Sequence, residues 1–456
     1  MLECTGRWGY NRIMRISPDI FRRYDIRGVI PDDLDEAGAE RIGQAIAHVL
    51  KTAEIIVGHD VRLTSESLKK ALINGLTRTG TNVVDIGTVS TDAFYFACGE
   101  KQLPGVMVTA SHNPPEYNGF KMVRKIPDLL TSEEVRKAVD GDPPPDADKP
   151  GTVTDEDVTD AFIKRMLEIV PPDRIKPLKV VVDTSNGSQG TYWEKLGQLL
   201  PITLIPQFFE PDGTFPNHEN DVIQPAAQTL LRERVVKEQA DLGLIFDPDG
   251  DRCLAVDDRG KTVPGDFLTA LLAETMLKRQ PGSTIVYDIR SSDAVPDHVR
   301  ALGGKPFGWK IGHALIKPKM QEYDAVFGGE VSGHFYFKDF WFVDNGLLTG
   351  LTLLEYVSEL GAPLSSKVKE FESKYFLSGE INSQVADHQA VLKKVKKTYQ
   401  DGELSELDGV AIRYPNWHFV VRTGANPPGI IRLTLEANSQ ELMEAKRDEL
   451  LKLIRE

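Results

Sequence analysis

The sequence predicts an α/β protein of several domains. Three observations carry that expectation. Its 456 residues are 41% hydrophobic and 27% charged, an ordinary globular balance. Apolar strand-like runs alternate with amphipathic helical stretches for most of the length. From about residue 375 the pattern changes to a hairpin, a further strand and a closing charged helix. With domains of roughly 100–200 residues, such a length suggests three or four of them.

The alternation begins with EIIVGHD (54–60), SESLKKALINGL (65–76) and NVVDIG (82–87). Thr64 or Ser65 is a suitable N-cap for that first helix. Strand-like runs recur as GVMVTAS (105–111), LKVVVDTSNG (178–187), ADLGLIFD (240–247), STIVYDI (283–289) and DAVFGGE (324–330). Asp266 opens a helical run at 266–278. Strands followed by helices imply α/β layers with largely parallel sheets. DGDPPPDADKPG (140–151) reads as a linker or exposed crossover, and softer breaks fall near 257–261 and 375. LDGVAIRYPNWHFVVRTG (407–424) reads as a hairpin and IIRLTLEA (430–437) as another strand, an α+β pattern.

The net charge of −14 carries no global basic footprint for nucleic acid or an anionic membrane. Phosphate binding must therefore come from local clusters. Cys4, Cys98 and Cys253 are odd in number and far apart, which supports neither a disulfide framework nor a zinc site. With no apolar run of about 18 residues and no signal core in residues 1–13, the expected setting is the cytoplasm. Residues 1–13 read as an extension without an assigned role.

Three apolar strands run straight into polar loops, where α/β folds bind ligands. The first loop holds Ser111, His112 and Asn113, with Lys121 close behind. A phosphorylated serine there would need cationic company, although the same residues serve equally as a capped Asn-Pro turn. The second holds Asp247, Asp249 and Asp251 at i, i+2, i+4 around Pro248 and Gly250, followed by Arg252. Such oxygen-rich spacing suits Mg²⁺. An EF-hand is excluded, because the sixth loop position is Arg252 and the twelfth Asp258. The third holds Glu330, Ser332 and His334, suited to vicinal hydroxyls or simply to a glycine-rich turn. Arg22, Arg23, Arg27, Arg62, Lys310, His313 and Arg422 supply scattered cationic groups, each of which alone is an ordinary surface charge. Walker A, HExxH and GxSxG motifs are missing from the chain.

FRRYDIRG (21–28), TASHNPPEYNGFK (109–121), DTSNG (183–187), PDGTFPNHE (211–219), DPDGDR (247–252), YDIRSS (287–292), WKIGH (309–313) and GEVSGHFYF (329–337) follow one another in the order found in the α-D-phosphohexomutases. The chain most resembles the bacterial phosphomannomutase/phosphoglucomutase group. The resemblance implies four domains around a central cleft, three related α/β mixed-sheet domains plus a C-terminal α+β domain. The expected spans are 1–153, 154–257, 258–374 and 375–456. It implies a phosphoserine at Ser111 that completes a Mg²⁺ site with Asp247, Asp249 and Asp251. Arg27, Lys121, His112 and His313 fall in the catalytic set. Tyr24, Arg252, Arg290, Lys310, Glu330, Ser332, His334, Arg422, Gly424 and Asn426 fall in the substrate-binding set.

The implied reaction interconverts hexose 1-phosphate and hexose 6-phosphate, of mannose, glucose or both, through a hexose 1,6-bisphosphate. The implied partners are small sugar phosphates, without nucleic acid or membrane, in a monomer or homodimer. A phosphoglucosamine or N-acetylglucosamine phosphate mutase is the alternative, followed by a non-catalytic sugar-phosphate binder and by an aspartyl phosphatase built on Asp247. One departure stands out. The family's phosphate loop usually reads Arg-x-Ser-Asn-Thr or Arg-x-Ser-Gly-Thr, whereas Gly424, Ala425 and Asn426 stand here, then Pro427 and Pro428. Two hydroxyl donors are gone, and the prolines offer no N–H.

Overall fold

A computed structural model of the chain describes residues 15–423 and 429–456. The expectations for residues 1–13, Gly424 and Asn426 lie outside the described residues. The chain divides into two compact units. One comprises residues up to Thr262 together with His334–Glu359; the other comprises Val263–Gly333 with Leu360–Glu456.

In the first unit, strand Glu54–His59 lies between parallel strands Asn82–Thr88 and Gly105–Val108. Strand Tyr117–Lys125 turns back antiparallel beside Gly105–Val108, and Ile26–Val29 pairs antiparallel with it. The sheet is therefore mixed rather than parallel. The return strand brings Lys121 opposite Met107, and Lys121 thus lies near the end of the strand that feeds Ser111. Helices Glu36–Leu50 and Ser65–Arg78 cover this sheet on apolar stripes that include Ile42, Ile46, Leu68 and Leu72. Only glycine lets them approach so closely. A Cβ at Gly43 would lie 2.3 Å from the Leu72 carbonyl, and one at Gly75 2.0 Å from that of Glu40.

Thr64 does occupy the N-cap position of the second helix, but its side chain does not cap it. Asn118 instead donates to the hydroxyls of Thr64 and Ser65, and Ser65 donates to Asp60. The run 140–151 is an exposed crossover leading to the edge strand Val153–Asp155.

A second mixed sheet in the same unit places Leu178–Asp183 between parallel strands Ile202–Gln207 and Leu242–Phe246, with Cys253–Asp257 antiparallel to the latter. Its core centres on Trp193, fully buried and packed 5.8 Å from the Phe246 ring. The DPDGDR loop is thus the turn of a hairpin between two buried strands.

In the other unit, strand Thr284–Asp288 pairs in parallel with Lys305–Trp309 and Phe327–Gly329. The C-terminal sheet is antiparallel throughout and ordered 376–377, 430–437, 417–423, 410–414, 403–405, with 381–384 also pairing with 430–437. Helices His388–Thr398 and Gln440–Arg455 close its core on Val395, Leu450 and Ile454. Among the described residues no helix is long and apolar enough to cross a membrane.

Candidate active site

The serine loop is held in an unusual backbone. Ser111 has φ +50°, a left-handed conformation that costs a non-glycine residue about 1–2 kcal/mol. Two arrangements hold it there. Ser111 N–H donates to Thr109 Oγ1 at 2.9 Å, and Thr109 Oγ1 donates to the buried Asp60. The buried Arg62 then gathers the loop's carbonyls. Its Nη2 donates to those of Ser111 and Asn113, both at 2.6 Å, and its Nη1 to Pro114 at 2.7 Å and Tyr117 at 3.0 Å. Asp60 neutralises Arg62 at 3.2 Å, and Phe215 covers it, its ring centre 5.1 Å away.

The metal-type loop faces this serine. Ser111 Oγ lies 3.0 Å from Asp247 Oδ2 and 3.2 Å from His112 Nδ1. Arg252 Nη2 approaches the same Nδ1 at 2.8 Å, so that nitrogen accepts. Burial, reinforced by Arg252 and Arg27, pushes His112 well below the usual histidine range, and the imidazole is neutral. Thr91 fastens the aspartate loop, donating its N–H to the Asp249 carbonyl at 2.8 Å and its hydroxyl to Asp249 Oδ2 at 2.7 Å. Gly187, in the DTSNG segment, lies so near that a Cβ there would meet the Pro248 carbonyl at 2.2 Å.

All three aspartates are buried, and they can each offer an oxygen within 4.8 Å of the others. Like charges at such range repel by several kcal/mol at an effective dielectric near 20. Burial and the charges of Asp249 and Asp251 accordingly push Asp247 well up. Burial opposes the charge of the other two as well, but Lys121 overcomes it and holds Asp249 below and Asp251 well below the carboxylate range. Lys121 Nζ donates to Asp249 Oδ2 at 2.7 Å and to Asp251. Asp249 Oδ1, buried without a hydrogen-bond partner among the carboxylate oxygens of the trio, fits a small divalent cation.

Arg27 reaches the same loop, donating to Asn113 Oδ1 at 2.7 Å and the Ala110 carbonyl at 3.3 Å, with Asp25 steadying its Nε. His334 Nε2 sits 3.5 Å from Asp251 Oδ1 and 3.9 Å from Asp344. Tyr24 is half-buried beneath Arg23. Ser111, His112, Lys121, Arg27, Arg252, His334 and the three aspartates thus meet in one unit.

Arg290, Lys310, His313, Glu330, Ser332 and Arg422 belong to the other unit. There Glu330 is buried and accepts from Gly312 N–H at 3.2 Å. Lys310 precedes, and His313 opens, helix His313–Glu322. Arg290 is held bidentate by Asp288. Sequence reasoning noted Arg62 only as one of the scattered cationic groups and left Asp60, Thr91 and Asp344 out of the site. An Arg-Leu pair after a strand carries no local sign that its guanidinium will collect carbonyls some fifty residues away. The burial of an aspartate directly after the strand GHD was the available signal for Asp60.

Family models for phosphoglucomutase/phosphomannomutase match three stretches: α/β/α domain I over residues 18–139, domain II over 160–260 and domain III over 264–375. The chain belongs to that family. A phosphohexose mutase of Xanthomonas campestris is 38% identical over 443 residues, covering 95% of this chain and 99% of the relative. A phosphomannomutase of Escherichia coli K12 is 36% identical over 453 residues, covering 96% and 99%. The crystal structure of a phosphoglucomutase/phosphomannomutase family protein from Burkholderia thailandensis superposes with TM-score 0.87 at 33% identity, covering 96% of this chain and 97% of that one. The chain is a phosphohexomutase enzyme. Parafusin from Paramecium, at 15% identity and TM-score 0.81, shares the fold.

Proposed function

We propose that this phosphohexomutase interconverts hexose 1-phosphate and hexose 6-phosphate of mannose, glucose or both. Ser111 carries the phosphoryl group, and the sugar passes through a 1,6-bisphosphate. The observation that carries the reading is the buried contact of Ser111 Oγ with Asp247 Oδ2 at 3.0 Å, beside Asp251 and Asp249, whose buried Oδ1 has no hydrogen-bond partner. Asp247, Asp249 and Asp251 would hold Mg²⁺ together with the serine's phosphate. When bound, the ion would neutralise charge on the phosphoryl oxygens and polarise the bond to Ser111.

The chain's own groups supply the remainder. Arg27 and Lys121 lie where they stabilise charge on a phosphoryl group at Ser111. Arg252 stands beside the trio, its Nε 3.8 Å from Asp247. His112, neutral and against Ser111 Oγ, is suited to accept the hydroxyl proton as the phosphoryl group returns to Ser111 and to give it back to Oγ as the group leaves. Glu330 and Ser332 read sugar hydroxyls, while Arg290 and Arg422 hold the phosphate that is not transferring. The relatives named as phosphomannomutases support mannose among the substrates.

Two measurements test the reading. Ser111→Ala is expected to abolish interconversion of mannose 1-phosphate and glucose 1-phosphate with their 6-phosphates. Intact mass after incubation with glucose 1,6-bisphosphate is expected to rise by one phosphoryl group, resistant to hydroxylamine. Undiminished turnover of the alanine variant, or an unphosphorylated wild type, refutes it. A hydroxylamine-labile product would instead place the phosphoryl on an aspartate.

A further inference from the structure

The motifs DTSNG (183–187) and PDGTFPNHE (211–219) carry no group of the reaction, yet they meet beside the serine loop. Asn217 Nδ2 donates to Asn186 Oδ1 at 2.7 Å, and His218 Nε2 lies 3.2 Å from Asp183 Oδ1. Asp183 ends strand Leu178–Asp183 and is fully buried, and its other oxygen accepts from Gln207 at 2.8 Å. His218 is thereby fastened to a fixed strand end.

On its other side, segment 211–221 rests on the serine loop and its supports. Phe215 covers the Arg62 guanidinium, and a Cβ at Gly213 would meet the Val61 carbonyl at 2.5 Å. Asn220 is buried and donates to the Asn113 carbonyl at 2.9 Å, the same oxygen that Arg62 holds. Asp221 Oδ1 lies 3.5 Å from Arg252 Nη1. The segment forms neither helix nor strand, so side-chain contacts must fix its path. Phe215 has φ +49°, a conformation that a non-glycine residue keeps only where its surroundings impose it.

Both ring nitrogens of His218 face acceptors. Nδ1 lies 2.8 Å from the Glu219 carbonyl oxygen, and Nε2 faces the Asp183 carboxylate. A neutral imidazole has one N–H and would turn a lone pair on one of those oxygens, whereas the imidazolium donates to both. Burial opposes the charge, but Asp183, aided by the Glu219 carbonyl, overcomes it and holds His218 above the usual histidine value of 6.5. Asp183 is the charged group that faces the ring, and the Phe208 ring, its centre 5.7 Å away, covers it.

We propose that His218, clipped to Asp183, is a positioning residue for phosphoryl transfer: it hangs segment 211–221 from the strand end, and the segment holds the serine loop and Arg252 in place. The proposal rests on Ser111 as the residue that carries the phosphoryl group. When the imidazolium gives its proton to solvent, one of its two hydrogen bonds is lost and the clip loosens. The contribution is thus complete below the unfolded value near pH 6.5 and fades as pH rises through the higher folded value.

The test compares wild type, His218→Gln and Asp183→Asn. In wild type, kcat for glucose 1-phosphate is expected to fall along an alkaline limb that follows the His218 titration seen by NMR. His218→Gln is expected to lose kcat about tenfold at pH 6, to move KM less, and to lack that limb. Asp183→Asn is expected to lower the His218 titration and the limb together. Amide exchange at residues 111–117, followed by mass spectrometry, is expected to be faster in His218→Gln and needs no turnover. A folded His218→Gln protein with wild-type kcat, or with wild-type exchange, overturns the proposal, as does an alkaline limb shared by both proteins. Should neither variant fold, a wild-type limb that matches no histidine titration overturns it. An inactive wild type whose serine loop exchanges faster in His218→Gln sinks the mutase reading and spares this one. An active wild type with unchanged exchange in the variant sinks this one alone.

Discussion

Lys121 Nζ stands 2.7 Å from Asp249 Oδ2 and also hydrogen-bonds Asp251, so one buried ammonium holds two of the three site carboxylates. Removing one partner of a buried charge cluster leaves uncompensated charge worth roughly 3–5 kcal/mol. Lys121→Met is therefore expected to lower metal-free stability by about that amount. Added Mg²⁺ should raise the melting temperature of the variant more than that of wild type. Denaturation with and without Mg²⁺ checks this, and equal shifts in both proteins would contradict it.

Arg62 touches no substrate in this reading, yet four carbonyls of the serine loop converge on it. Arg62→Lys keeps the charge and loses the fork. A displaced nucleophile of about 1 Å costs on the order of a hundredfold in rate. The variant should thus lose kcat by at least that order while Mg²⁺ affinity changes little. Steady-state kinetics beside metal titration separates the two.

Glu436 is buried, and burial together with the nearby Asp293 and Asp266 pushes it up to about 8. A carboxyl raised in the folded state contributes stability that is complete below its unfolded value near 4.5 and is lost as pH rises through about 8. Glu436→Gln keeps the neutral form at every pH. Its stability relative to wild type should grow between pH 5 and pH 8, followed by chemical denaturation across that window. A constant difference would contradict the assignment.

Trp193 is fully buried against Phe246, and Gly350 lies so close that a Cβ would meet the indole at 2.9 Å. Trp193→Ala should destabilise the protein by about 3–5 kcal/mol. Urea unfolding measures it.

Much of the fold was legible. Strand runs such as 54–60, 82–87 and 430–437 are apolar and short, and their burial on both faces or one follows from composition alone. The antiparallel returns that make the sheets mixed were expected from the family resemblance and not from the residue pattern, because TASHNP is followed by a strand of ordinary polarity, Tyr117–Lys125. The chemistry-bearing residues of the site could be named from spacing: aspartates at i, i+2, i+4 have few structural uses. Their partners could not. Thr91 holds Asp249 across 158 residues and Arg62 holds Ser111 across 49, and no local pattern encodes such pairings. Thr64 shows the opposite error: a good capping residue whose hydroxyl the fold gave to Asn118.

Because Arg62 and Thr109 fasten both its carbonyl and its amide side, Ser111 has no slack with which to follow a moving acceptor. A donor so immobile can address only one point in space. On the proposed mechanism the pivoting then falls to the doubly phosphorylated sugar, which must swap ends between two visits to the same stationary hydroxyl.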